Sequence, residues 1–135
     1  MTSAELVKLA MKAAENAYAP YSHHCVGAAL ETKSGKIYLG CNIENAAYGP
    51  TNCAERTAFF KAVSEGEREF SKIAVVGGHE LDFKDYFTPC GVCRQVMSEF
   101  CDGDFLVVIG KNGGVYIEKT LDELLPLRFS PKSLS

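Results

Sequence analysis

The chain predicts an α/β protein, a central sheet with helices on both faces. Three features predict this. The order of elements reads α-β-β-α-β-α-β-β-α. Two short, continuous apolar runs, Ile73-Ala74-Val75-Val76-Gly77 and Phe105-Leu106-Val107-Val108-Ile109, have the character of strands covered on both sides. Helix-opening signals follow strands at two places, the arrangement of a βα unit.

Residues 2–18 read as an amphipathic helix. Thr2 and Glu5 have capping-box spacing, Leu6, Leu9, Ala13 and Ala17 share a face, and Pro20 closes the segment. Val26 to Glu31 and the alternating stretch Lys36 to Asn42, joined by Ser34-Gly35, read as a hairpin. A polar loop runs from Ile43 to Asn52. A second helix spans about Cys53 to Glu65 and stops at Gly66. After the first buried strand, residues 78–89 form a loop. Pro89 marks the start of a third helix, about Gly91 to Phe100. The second buried strand turns at Asn112-Gly113-Gly114 into Val115-Tyr116-Ile117. Thr120 and Glu123 then cap a short helix ending at Pro126. The two βα units should bring their helix N-termini to one end of the sheet, where open α/β sheets bind ligands.

Composition narrows the function classes. The chain has 135 residues, 47% apolar and 23% charged, with a formal net charge of −3. That length suits one domain, able to bury about two-thirds of its unfolded surface without staples. The acidic balance and the absence of a Lys/Arg run argue against a nucleic-acid partner. No stretch has the roughly 20 apolar residues of a membrane span. The start, Met1-Thr2-Ser3-Ala4-Glu5, lacks the basic and apolar pattern of a signal peptide, so a reducing, cytoplasmic location is expected. There the six cysteines point to metal or catalysis rather than cross-links.

Two motifs concentrate those cysteines. Cys53-Ala54-Glu55-Arg56 opens the second helix, and Pro89-Cys90-Gly91-Val92-Cys93-Arg94 opens the third. If the two helix starts face each other, Cys53, Cys90 and Cys93 converge. Three ligands with an open fourth position describe a catalytic zinc site, whereas a structural site closes with a fourth ligand. Three thiolates and Zn²⁺ sum to −1, and two helix N-termini of roughly +0.5 each offset it. Arg56 is positioned to donate to a thiolate, drawing charge off the sulfur. Glu55, two residues from a ligand, is the candidate for proton transfer. Asn52 and Glu55 also have capping-box spacing, so taken alone Glu55 reads as a cap; beside three converging sulfurs it reads as catalytic. Arg56 and Arg94 alone would be solvated helix residues. Cys25, Cys41 and Cys101 read as small buried apolar groups. His23, His24 and His79 have no metal-type spacing.

Zinc deaminases of nucleobases carry an H-x-E…P-C-x-x-C pattern, with a three-cysteine variant, in which the Glu is not a ligand. Cys53-Ala54-Glu55 and Pro89 to Cys93 fill that variant. Tyr21-Ser22-His23, Val26 to Leu30, Gly40 to Ala46, Cys53 to Ala58 and Glu123 to Pro126 extend the match over nearly the whole chain. The sequence resembles the small, homotetrameric cytidine deaminases. The resemblance implies a three-layer α/β/α sandwich around a five-stranded mixed sheet, with residues 1–135 as one catalytic domain and one Zn²⁺ per subunit. It implies hydrolysis of cytidine or 2′-deoxycytidine to the uridine counterpart and ammonia, a step of pyrimidine salvage. It assigns Asn42 and Glu44 to the ribose hydroxyls and the Ala54 backbone to the base carbonyl region. It assigns Ala46, Tyr48 and Phe129 to contacts with a neighbouring subunit's pocket, the active sites lying at subunit interfaces. One position departs: Phe-Pro, whose Phe stacks on the base, is His24-Cys25 here. Imidazole still stacks, buries less apolar area and adds a hydrogen-bonding edge, so a raised KM or shifted base preference is expected. The loop 79–88, with Tyr86 and Phe87, looks longer than in many relatives, and is expected to pack on the surface rather than cover the pocket.

In the implied reaction Glu55 takes a proton from the attacking water, passes it to ring N3 and later protonates the departing amine. Three rival readings differ from this one. A deaminase of another amino-nucleoside, such as an antibiotic, would use the same chemistry without needing the Asn42 and Glu44 pair. A non-catalytic zinc domain would need a fourth ligand, and none stands at zinc-finger spacing. A nucleic-acid editor would need a basic surface.

Overall fold

A computed structural model describes residues 1–135, and its sheet explains why both cysteine motifs meet. The elements are α1 (Ser3–Ala14), β1 (His24–Thr32), β2 (Ile37–Cys41), α2 (Ala54–Ser64), β3 (Phe70–His79), α3 (Gly91–Phe100), β4 (Leu106–Gly110), β5 (Tyr116–Thr120) and α4 (Leu121–Leu124). The five strands lie in the order β2-β1-β3-β4-β5. Strand β1 is antiparallel to both β2 and β3, β3 is parallel to β4, and β5 is antiparallel to β4. Since β1 opposes both neighbours, β2 and β3 run the same way. Their C-terminal ends, and the starts of α2 and α3, therefore share one edge of the sheet.

Strand alternation divides the core into two layers. Ala29, Ala74, Val76 and Val108 face α1 and pack on Leu6, Val7, Ala10 and Ala14. Ala28, Leu30, Ile73, Val75, Val107 and Ile109 face the opposite way, onto Ala54, Ala58, Phe59 and Ala62 of α2 and Met97 of α3. The expected three-layer α/β/α sandwich with a five-stranded mixed sheet is what forms. The continuous apolar runs of β3 and β4 are continuous because each strand is covered on both faces.

Several boundaries differ from the sequence reading. Helix α1 keeps its Thr2–Glu5 capping box but ends at Ala14, not residue 18. The Tyr18 N–H donates to the Asn42 carbonyl at 3.0 Å, and the Tyr18 carbonyl accepts from Glu44 N–H at 2.8 Å. This pairing with residues 42–44 outcompetes another helical turn. Strand β3 extends to His79 because His79 pairs in register with His24 of β1. The 80–88 segment both buries Phe83 in the α1 layer and brings Phe87 to the site described below. The expectation of mere surface packing is therefore corrected. Cys25, Cys41 and Cys101 are half-buried, not fully enclosed, and burial pushes the Cys101 thiol up to about 12.

The start of α2 rests directly on β2. A Cβ on Gly40 would strike the Ala54 carbonyl oxygen and come within 2.6 Å of the Ala58 nitrogen. Backbone cannot yield as a side-chain tip does. Gly40→Ala should therefore lift the first turn of α2 and cost about 1–3 kcal/mol of stability, read as a lower urea midpoint. An unchanged midpoint would show that Gly40 does not set this packing.

Candidate active site

Three sulfurs meet at the shared sheet edge. Cys53 is the N-cap of α2 and Cys90 the N-cap of α3, and neither helix start has a side-chain cap hydrogen bond. Cys53 Sγ lies 3.7 Å from Cys90 Sγ, and Cys90 Sγ lies 3.4 Å from Cys93 Sγ. The sulfurs all lie within 4.8 Å of one another. Zn–S bonds of about 2.3 Å at tetrahedral angles require S–S edges of about 3.8 Å, so this trio fits Zn²⁺. The two helix N-termini direct unsatisfied N–H groups toward this region, complementing anionic sulfur.

Arg56 reaches one of the three sulfurs. Its Nη2 donates to Cys53 Sγ at 3.3 Å. Donation from the Cys93 thiol, together with Arg56, brings Cys53 down to about 5. The hydrogen bond to Cys53, together with burial, pushes Cys93 up. Arg94 is not a free solvated residue: its Nε donates to the Pro89 carbonyl at 2.8 Å and its Nη1 to the Leu124 carbonyl at 2.6 Å. It thereby ties the third-helix motif to α4.

Glu55 is 3% exposed, at the second position of α2. It is not a capping-box residue, because Cys53 rather than Asn52 caps the helix, and Asn52 Nδ2 instead donates to Thr57 Oγ1 at 3.1 Å. Its Oε1 is buried without a protein hydrogen-bond partner. Burial is the main cause that pushes its carboxyl up to about 7. A buried acceptor left open is costly, so its retention here points to a partner that the protein itself does not supply. Thr57 also donates to the Cys41 and Cys53 carbonyls at 3.0 and 3.2 Å, fixing the end of β2 to the start of α2.

A cavity of about 390 Å³ opens beside these groups. Asn42, Glu44, Cys53, Ala54, Glu55, Cys90 and His24 line it, as do Val26, Phe87 and Thr88. Asn42 is buried, with Oδ1 accepting from Val26 N–H at 2.9 Å and Nδ2 donating to the His24 carbonyl at 2.8 Å. The Ser22 hydroxyl, and then the Ser22 and Tyr21 N–H groups, hold Glu44 below the usual carboxylate range. His24 Nδ1 is 3.0 Å from the Ser22 carbonyl oxygen, which can only accept, so Nδ1 carries the proton. The ring meets His79 edge-on at 5.6 Å. Ala46, Tyr48 and Phe129 do not reach this cavity within the chain. Tyr48 is 73% exposed beside Tyr21 in an outer recess, and Phe129 is 59% exposed. Sequence reasoning left Ser22, Val26, Thr57, Phe87 and Thr88 out of the site. Only Phe87-Thr88 carried a local signal, standing immediately before Pro89-Cys90.

The sequence model of the cytidine and deoxycytidylate deaminase zinc-binding region matches residues 1–109. The chain is 52% identical to a cytidine deaminase of Sporosarcina psychrophila over 97% of this chain and 93% of that protein. It is 36% identical to a blasticidin-S deaminase of Bacillus cereus over 93% of this chain and 91% of that one. The crystal structure of a cytidine deaminase from Burkholderia pseudomallei superposes with a TM-score of 0.88 at 47% identity, covering 96% of this chain and 100% of that one.

The arginine contact makes a prediction. Arg56→Ala should keep most of its zinc by metal analysis while turnover falls at least tenfold, a loss typical for a group that orients a ligand. Unchanged turnover would remove Arg56 from the chemistry.

Proposed function

The chain belongs to the cytidine and deoxycytidylate deaminase family, and from that premise we infer how its residues divide the work of hydrolysing the exocyclic C–N bond of cytidine and 2′-deoxycytidine, which yields the uridine counterpart and ammonia. Its cofactor is zinc, with Cys53, Cys90 and Cys93 as the candidate ligands. When bound, Zn²⁺ supplies the Lewis acidity that makes water a nucleophile near neutral pH.

The observation that carries the residue assignment is the open, buried Oε1 of Glu55 on the cavity wall. Burial brings this carboxyl to about 7, so it accepts and releases a proton near neutrality. In the proposed sequence it takes a proton from the attacking water and delivers it to ring N3, then takes the second proton from the oxygen added at C4 and gives it to the departing amine, so that the C4 carbonyl forms as ammonia leaves. Arg56 withdraws charge from Cys53 through its hydrogen bond. Glu44, ionised and half-buried, accepts from ribose hydroxyls. One Nδ2 hydrogen of Asn42 remains for the sugar, since the other serves the His24 carbonyl. The Ala54 N–H, in the first turn of α2, is assigned to the base carbonyl.

The same reading makes residues 1–135 one catalytic domain and the working unit a homotetramer. Phe60, Val92, Leu127, Phe129 and Leu134 are exposed apolar residues suited to contact between copies. Ala46, Tyr48 and Phe129, outside their own cavity, are assigned to a neighbour's. No helix is long and apolar enough to cross a membrane. Six free cysteines suit a reducing compartment such as the cytoplasm.

Glu55→Gln keeps the shape and removes the titrating group. It should retain zinc and fold yet lose roughly 10²- to 10⁴-fold in turnover, followed as loss of cytidine absorbance. Robust deamination by this variant would end the assignment. A panel of cytidine, 2′-deoxycytidine and blasticidin S, followed by ammonia release, should favour the two pyrimidine nucleosides. Preference for the antibiotic would reverse the substrate assignment. Light scattering should return the mass of a tetramer, and a monomer active at full rate would exclude the shared-pocket arrangement.

A further inference from the structure

The cavity beside Glu55 contains one carbocyclic aromatic ring, Phe87, and the strand beneath that ring lacks a side chain. A Cβ on Gly77 would lie 2.6, 2.8 and 3.0 Å from Cγ, Cδ1 and Cδ2 of Phe87. The attachment end of the ring therefore rests on bare backbone of β3. Gly77 pairs in register with Val26 of β1, whose side chain lines the same cavity. Paired residues share a face of the sheet, so ring and isopropyl group are adjacent parts of one apolar wall. Phe87 is half-buried and packs against the core under α2 and α3. It stands three residues before Cys90, so its position is tied to the sulfur trio.

The other cyclic side chain of the cavity is engaged elsewhere. His24 is exposed at the rim, its Nδ1 held by the Ser22 carbonyl and its ring edge-on to His79. We infer that Phe87, seated on Gly77, is the surface against which the substrate's heterocycle lies, making it a binding residue that favours planar amino-heterocycles. The inference rests on the deaminase reading above and adds to it the apolar ring on which the base stacks. Stacking of a base on an aromatic ring is worth enough to set affinity. Asn42 and Glu44 are polar and do not supply it.

The test uses the zinc-loaded protein. Phe87→Leu keeps apolar bulk and removes the π face. It should raise KM for cytidine and the inhibition constant for uridine about five- to thirtyfold, with kcat within about twofold and zinc content unchanged. Phe87→Tyr restores the face and should keep KM within about threefold of the parent. Gly77→Ala displaces the ring and should raise KM as Phe87→Leu does. Added to Phe87→Leu, it should cost less than about a further twofold, because the clash is then gone. Parental KM in F87L, a KM in F87Y raised as far as in F87L, equal effects of G77A in both backgrounds, or loss of zinc from F87L with no KM change in G77A would overturn the inference. The two readings fail separately. A parent protein unable to deaminate cytidine overturns both, and an active parent with an indifferent Phe87 overturns only this one.

Discussion

Two helix starts converge on one cluster of sulfurs, and this convergence depends on the antiparallel strand between β2 and β3. Because β1 runs against both, the two flanking strands end at the same edge, and the helices that follow begin there together. A sulfur cluster carrying net negative charge with its metal is stabilised where unsatisfied N–H groups point at it. The arrangement also accounts for two of the three candidate ligands, Cys53 and Cys90, standing at N-cap positions that Ser or Asp would ordinarily fill. Neither side chain makes a cap hydrogen bond, which leaves both sulfurs open to a metal.

The chemistry follows from what this packing encloses. Gly40 lets α2 settle onto β2, and Thr57 ties the two together, so Glu55 is carried into a space shielded from water. The same burial that raises its proton affinity leaves one of its oxygens without a protein partner. Stability is sacrificed at that atom, and such a sacrifice is typical of a working site. Arg56 is the counterweight, a positive group bonded to sulfur rather than to the carboxylate.

The cavity wall shows a second economy. Asn42 and Glu44 each perform a structural task, Asn42 clasping β1 and Glu44 fixing the 21–22 turn. Their remaining hydrogen-bonding capacity faces the cavity, preset by those bonds. Rigid polar groups of this kind lose little entropy when a ligand arrives. The apolar side of the cavity comes instead from a loop that dips back to lay Phe87 on β3.

Much of this was legible in the chain. Capping boxes at Thr2–Glu5 and Thr120–Glu123, the apolar runs of β3 and β4, and the cysteine motifs are local signals, and local sequence determines them. The spacing of Cys53 and Glu55, and of Cys90 and Cys93, likewise marked the residues that the fold brings together around one cavity. What only the tertiary structure decided were relations between segments distant in the chain. Helix α1 stops early because Tyr18 finds residues 42–44, and β3 lengthens because His79 finds His24. Phe87 becomes part of the cavity because Gly77, ten residues before it, has no side chain to keep it out. Periodicity and spacing report on neighbours along the chain; a backbone pairing or a ring resting on a strand is settled by which partners burial brings together, and a single sequence does not state that.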